Sequence, residues 1–301
     1  MDMSHAARST SCFRFAAFLG LLVLHLSGQL GWAKDDKRFS TGAKAASEAK
    51  QELINQELKT LEGHSWAGRY YYGDGLGVNV DLDLAPKSGF VFTWNGCLGL
   101  YDLNYGDVAE GDGKIRLVFK YANDRKGFQG IAPELIPVVW GERRYLIPRD
   151  EIVKFANDIN AGFEPRKTLW GSFLLRRGDE LKDVHGEPSI PAEYTVYLLR
   201  NPIKAKISSI KGSRFKDSTR TTTVVLKVGS EQGVKLGMEF YLYSPSTIFE
   251  SATITRLETS SSEAVIVQYA LNDESETRPS LDWKLSTFVG CDGVKDTPPL
   301  P

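Results

Sequence analysis

The feature that most constrains the fold is a strict alternation of apolar and polar residues in the first half of the chain. The clearest run alternates without a break: Val78, Asn79, Val80, Asp81, Leu82, Asp83 and Leu84. Residues 90–94 and 115–119 continue the pattern. A period of two puts successive side chains on opposite faces, so each run predicts a half-buried β-strand. We therefore expect a β domain at 64–200, built as a meander barrel or a curved sheet.

Turn signals between these runs predict hairpins. Asp112-Gly113 precedes one strand, and Gly141-Glu142 separates the apolar runs 135–140 and 144–147. A final strand is expected at 194–199. Two stretches instead repeat their apolar residues with helical spacing. Residues 43–62 predict a helix within the N-terminal segment 34–63, and 150–162 predict one helix packed on the β domain.

A second β-rich block follows Asn201-Pro202 and covers 203–290. Its candidate strands are 203–210, 221–228, 239–243, 252–257, 264–269 and 283–288. Short strands at this spacing favour a small SH3-like or OB-like barrel. Residues 291–301 end in prolines and predict a flexible tail. The expected fold class is thus mainly β, with two β domains preceded by an N-terminal helix.

The first 33 residues have the three parts of a secretory signal sequence. Arg8 and Arg14 precede the apolar run Phe15–Leu26, and Gly31-Trp32-Ala33 provides small residues at a cleavage site. The run is shorter than the roughly 17–25 residues that span a bilayer, which favours cleavage over an uncleaved anchor. We expect a mature chain from Lys34, periplasmic or secreted, with no transmembrane segment.

Two cysteines remain in that mature chain, Cys97 and Cys291. An exported protein can keep a disulfide. One bridge between them and two separate thiols are both compatible with the sequence.

Two segments resemble known families. A helix followed by Leu61-Glu62-Gly63-His64-Ser65-Trp66 and alternating strands, over residues 61–120, resembles the opening of lipocalin-like barrels, although the family spacing is Gly-x-Trp. That resemblance implies a barrel that holds a small apolar ligand. The glycine pattern of residues 224–243 (Gly229, Gly233 and Gly237, with Val234 and Met238) is similar to small β-barrels of bacterial envelope proteins, the rod-shape-determining and flagellar assembly proteins. This second resemblance implies a structural or docking module.

Charge and motifs exclude some function classes and identify no reaction. The chain carries 37 basic and 38 acidic residues, a net charge of −1, which argues against a nucleic-acid partner. His64 and His185 are far apart, so we predict no metal site, no cofactor and no catalytic residue. Asp81 and Asp83 share one strand face and could form a carboxylate pair, but the alternation favours a solvated face.

Aromatic residues are concentrated in the first β domain, and four of them are candidates for ligand or partner binding: Tyr71, Trp94, Tyr101 and Tyr105. Consecutive tyrosines at 70–72 must face both sides of a strand, so at least one points away from the core. We predict an exported, non-catalytic binding or assembly protein of the cell envelope, whose partner is a protein or a small apolar or saccharide ligand. The alternative is a secreted hydrolase acting on envelope glycans or lipids.

Overall fold

The computed structural model describes residues 39–73, 78–122, 130–163, 173–245, 250–269 and 277–289. The predicted signal sequence, Cys291 and the predicted tail lie outside these residues. The described chain is mainly β, with an N-terminal helix followed by an eight-stranded and a six-stranded closed barrel. The predicted fold class is therefore confirmed.

The first barrel is an up-and-down meander in which each strand pairs antiparallel with the next and the last closes on the first. Its strands are β1 (Gly68–Gly73), β2 (Asn79–Ala85), β3 (Gly89–Gly96), β4 (Gly99–Gly111), β5 (Lys114–Tyr121), β6 (Glu134–Trp140), β7 (Arg143–Pro148) and β8 (Leu174–Arg176). The hairpin around Gly141-Glu142 is confirmed. Apolar side chains fill much of the interior: Tyr70, Leu82, Leu84, Phe90, Phe92, Ile115, Leu117, Leu135, Leu146 and Leu174.

The N-terminal helix lies on the outer face of this barrel. Helix α1 (Thr41–Leu58) buries Ile54 against Ala85 of β2 and Val91 of β3. It ends four residues before the predicted limit of 62, and the chain continues through turns toward β1. The apolar stripe that predicted the helix is therefore the stripe that attaches it to the barrel.

A second helix covers the outer face of β6, β7 and β8. Helix α2 (Ile152–Asn160) buries the ring of Phe155 among Trp140, Tyr145 and Phe173, with ring centroids 6.4, 5.3 and 5.2 Å away. All three pairs meet edge to face, the arrangement that aromatic quadrupoles favour. This barrel wall is thus buried on both sides, between the interior and α2.

The second barrel contains the six strands expected from the sequence. They are β9 (Lys204–Lys216), β10 (Thr219–Leu226), β11 (Glu239–Ser244), β12 (Ser251–Leu257), β13 (Ser262–Tyr269) and β14 (Lys284–Ser286). Around the barrel they follow the order β9-β10-β13-β12-β11-β14, and β14 closes on β9. The barrel has its own apolar core, with Phe240, Trp283 and Leu285 among its buried members.

The glycine-rich connection between β10 and β11 depends on its glycines. Gly233 and Gly237 have φ angles of 84° and 80°, in the left-handed region. A Cβ at Gly229 would lie 2.5 Å from two backbone carbonyl oxygens. Val234 and Met238 are fully buried, so they anchor the connection in the core as the sequence predicts.

The carboxyl-terminal half of α2 joins the two barrels. The Asn157 side chain donates a hydrogen bond of 2.9 Å to the Gly237 carbonyl and accepts one of 3.3 Å from the Glu239 backbone. Ala161 accepts 3.2 Å from the Val289 backbone. Helix α2 therefore packs on the first barrel with its apolar side and binds the second with polar groups.

The strand predicted at 194–199 is wrong. This segment forms a 3₁₀ turn, Ala192–Tyr197. The Asn160 side chain fixes it by donating 2.7 Å to the Tyr197 carbonyl and accepting 2.9 Å from the Leu199 backbone. The alternating apolar residues are used instead to pack on α2 and on the second core.

Candidate functional site: the mouth of the first barrel

The antiparallel register aligns inward-facing residues of β1 to β4 in cross-strand rows. One row is Tyr72, Val80, Trp94 and Asp102; the next is Tyr70, Leu82, Phe92 and Asn104; the third is Gly68, Leu84, Phe90 and Gly106. The first row lies where β1 ends and β2 begins. We call this row, together with Asn104, the mouth of the barrel.

The mouth differs from the rest of the interior because it contains buried polar groups. Asp102 is 1% exposed, and its Oδ1 accepts a hydrogen bond of 2.8 Å from Asn104 Nδ2. A buried carboxylate is costly unless it is hydrogen-bonded or paired. The two rows below contribute mainly aromatic and aliphatic side chains. The interior therefore changes from apolar to polar along the barrel axis.

Two of the four predicted binding aromatics meet at this end. The Trp94 and Tyr101 rings are 5.7 Å apart and perpendicular. Tyr101 Oη also accepts a hydrogen bond of 3.3 Å from the Leu98 backbone, across the exposed turn between β3 and β4. The indole is half-buried. Part of the indole surface is therefore accessible to solvent.

The structure places the other two predicted aromatics elsewhere, on the outer face of the barrel. Tyr71 donates 2.7 Å to Asn79 Oδ1 and lies beneath the Arg177 guanidinium, 4.6 Å from the ring centroid. Tyr105 stacks on Tyr121 with centroids 5.4 Å apart. Neither tyrosine contributes to the mouth.

Sequence reasoning missed three residues at the mouth: Asp102, Asn104 and Gly130. A Cβ on Gly130 would overlap the Asp102 carboxylate and lie 2.5 Å from the Phe92 ring. The backbone at Gly130 is therefore packed directly against Asp102 and Phe92. The available signal was Gly130 itself, upstream of the apolar run predicted at 135–140. Its close packing could not be predicted, because Asp102 and Phe92 are distant in the sequence.

Asp81 and Asp83 line a separate open groove of about 400 Å³ on the outer face. Arg177 pairs with Asp81, and Arg69 Nε lies 3.6 Å from Asp83 Oδ2, which also accepts a hydrogen bond from Gln51. Burial raises the pKa of Asp83, while the Gln51 hydrogen bond and the Arg69 charge lower it. The Asp83 side chain is 14% exposed, so the solvated face expected from alternation is wrong for this residue.

Other predicted features are only partly within the described structure. Cys97 is exposed in the turn between β3 and β4, and Cys291 lies outside the described residues, so their pairing remains a prediction. In the described ranges, no group of three or more His, Cys, Asp or Glu side chains is placed to hold a metal ion. No helix in those ranges combines the length and hydropathy needed to cross a membrane.

Neither a protein-family model, nor a curated protein, nor a solved structure matches this chain. The resemblances to lipocalin-like and bacterial envelope barrels therefore remain predictions from sequence.

Proposed function

We propose that this chain is an exported, non-catalytic binding or assembly protein of the cell envelope, and that the mouth of its first barrel binds a saccharide. The observation that carries the proposal is the buried Asp102–Asn104 pair beside a half-buried Trp94. Barrel mouths are common ligand sites, and such sites combine aromatic walls with a few polar groups.

The chemistry of the mouth suits a sugar ring. The flat indole of Trp94 offers an apolar face to the C–H groups of a pyranose. A carboxylate accepts hydrogen bonds, and an amide both donates and accepts them, so Asp102 and Asn104 suit a ligand rich in hydroxyl groups. The aromatic and aliphatic side chains of the second and third rows, beside and beneath these two residues, make their surroundings apolar, which strengthens polar contacts.

Export and the envelope location are supported by the sequence. The signal sequence at 1–33 predicts passage across a membrane. The glycine pattern of 224–243, whose glycines and anchoring residues take the expected positions, supports a docking module in the second barrel. A protein or a small apolar molecule is the other ligand class for the mouth.

The test is calorimetric titration of the mature chain with soluble oligosaccharides prepared from envelope glycans. We expect Trp94→Ala and Asp102→Asn each to weaken binding at least about tenfold, which corresponds to roughly 1.4 kcal/mol or more. Tyr269→Ala is the matched control, because Tyr269 is 79% exposed on the second barrel. Absence of binding by the wild type, or equal weakening by the control, would overturn the proposal.

One observation favours the hydrolase alternative. Asp81 and Asp83 line the same groove, and burial raises the pKa of Asp83. Carboxylates in different environments can divide acid and base roles. Both, however, are engaged by arginines, which favours a structural role. Product analysis of the same oligosaccharides decides: hydrolysis that Asp81→Asn with Asp83→Asn abolishes would establish the alternative.

A further inference from the structure

Strand β9 is longer than the barrel that it helps to close. On one side it pairs with β10 from Ile207 to Lys216. On the other side β14 pairs only with Lys204, Ala205 and Lys206. Among the described residues, no other strand pairs along this second edge, and residues 208–214 are all exposed. About nine residues, or roughly 30 Å at 3.3 Å per residue, therefore form an open edge.

The core side of β9 is incompletely covered along this edge. Ile210 is the register partner of Val224, which is fully buried in the barrel core. Ile210 itself is 42% exposed. The reason is that Ile210 lies beyond Lys284, the residue at which β14 begins. The chain that precedes Lys284 turns inward at the buried Trp283. An added strand in line with β14 would cover Ile210.

The outer side of the same region is basic. Lys206 and Lys284 are direct register partners on β9 and β14, and both are exposed. Lys227 follows β10 and donates its backbone N–H to Lys206, while Arg214 lies further along the edge. Like charges directly opposite each other destabilise a sheet, so this arrangement suits an anionic partner. In the described part of the chain, none of these four side chains has a carboxylate within 4.0 Å.

We propose that the open edge of β9 binds an extended segment of a partner protein in which acidic and apolar residues alternate. Main-chain hydrogen bonds to the free edge would provide affinity, as in other cases of strand addition. An apolar side chain would cover Ile210, and acidic side chains on the other face would meet Lys206 and Arg214. This site is on the second barrel and is independent of the proposed saccharide site.

Pairing of this edge with a second copy of itself is disfavoured. The two edges would bring lysine and arginine side chains together. The register shifts at Ser208 and Lys211 also bend the strand, a common way to prevent edge-to-edge association. An acidic partner would avoid the repulsion between basic side chains, and an extended peptide can follow the bend of the strand.

The test is amide hydrogen exchange of the mature chain with and without a synthetic peptide of alternating Glu and Val residues. In the free protein we expect fast exchange at those amides of 208–216 that point to the open edge, and at least tenfold slower exchange of the same amides with the peptide. Lys206→Glu and Ile210→Ala should each weaken peptide binding at least tenfold. Lys59→Glu, an exposed change on the first barrel side, should leave it unchanged.

Four outcomes would overturn the proposal. These are slow exchange of the amides that point to the open edge of 208–216 in the free protein, equal binding of a peptide with its Glu and Val residues in separate blocks, binding insensitive to Lys206→Glu, and protection by self-association at high protein concentration. Saccharide titration of the Lys206→Glu variant separates this result from the proposed function, because the mouth is unchanged in that variant.

Discussion

Asn157 in α2 donates a hydrogen bond of 2.9 Å to the backbone carbonyl of Gly237, which lies in the second barrel and 80 residues further along the chain. Helix α2 positions Asn157, and the connection between β10 and β11 positions Gly237. Asn157 is buried on the side of α2 that faces away from the Phe155 cluster, and Gly237 has a left-handed backbone conformation. The contact therefore couples the packing of the first barrel to that of the second.

The contacts of Asn157 with Gly237 and Glu239 form the joint between the barrels. We expect Asn157→Ala to destabilise this joint by about 1–3 kcal/mol, because the part-buried Gly237 carbonyl and Glu239 amide lose their partner. Scanning calorimetry should show a lower melting temperature or a separate transition for one barrel. Asn201→Ala, an exposed change in the connecting segment, should melt as the wild type does. Unchanged melting of Asn157→Ala would mean that apolar packing alone holds the joint.

The joint should weaken as the pH rises. Burial raises the pKa of Asp158 from 3.8 to about 7, although Lys154, 3.3 Å away, lowers it; Glu239 and Glu151 raise it further. Tyr241 also faces the group and donates 2.8 Å to Glu239. Because the folded pKa exceeds the unfolded one, protonation stabilises the fold. The stabilisation that comes from protonated Asp158 is complete below about pH 4 and is lost as the pH rises from about 4 through 7.

Chemical denaturation between pH 5 and 9 checks this prediction. The Asp158 contribution should reduce the free energy of unfolding by at most about 1.4 kcal/mol per pH unit between about pH 4 and 7, and should level off above pH 7. Asp158→Asn removes the titrating group, so its stability should fall less than that of the wild type over this range. Parallel pH profiles for the two proteins would assign the dependence to another group.

The packing at Gly130 predicts a strong effect of a single methyl group. Gly130→Ala would push a Cβ into the Asp102 carboxylate and the Phe92 ring, at an expected cost of about 1–3 kcal/mol. Gly111→Ala is the matched control, because nothing lies within 4 Å of its Cβ position. Thermal unfolding measures both. Equal stability of the two variants would show that the segment at Gly130 moves away without cost.

Export predicts a defined amino terminus. Protein recovered from the extracytoplasmic fraction should begin at Lys34, within a residue or two, because small residues precede the expected cut. Amino-terminal sequencing or intact mass gives the answer. An intact Met1 on that protein would instead support an uncleaved anchor.

The alternation of apolar and polar residues was enough to locate most strands. Two apolar runs on either side of a turn signal predicted the hairpin at Gly141-Glu142, and short strand-like segments at regular spacing predicted the six strands of the second barrel. The same rule failed at 194–199, where a 3₁₀ turn buries alternating residues in two different cores. Local periodicity indicates which residues are buried, but it does not indicate which part of the protein they pack against.

The candidate site shows this limit most clearly. In the stretch Tyr101-Asp102-Leu103-Asn104-Tyr105, the alternation by itself does not say which set of side chains faces the interior. Pairing with β3 puts Asp102 and Asn104 inside the barrel, in register with Trp94 and Phe92, and puts Leu103 outside. Asp83 likewise becomes half-buried only because Gln51 of α1 and Arg69 of β1 lie against it. The sequence by itself determined where most strands lie and that their two faces differ. Only the tertiary structure decided which face became the interior, because that depends on register with strands and helices distant in the chain.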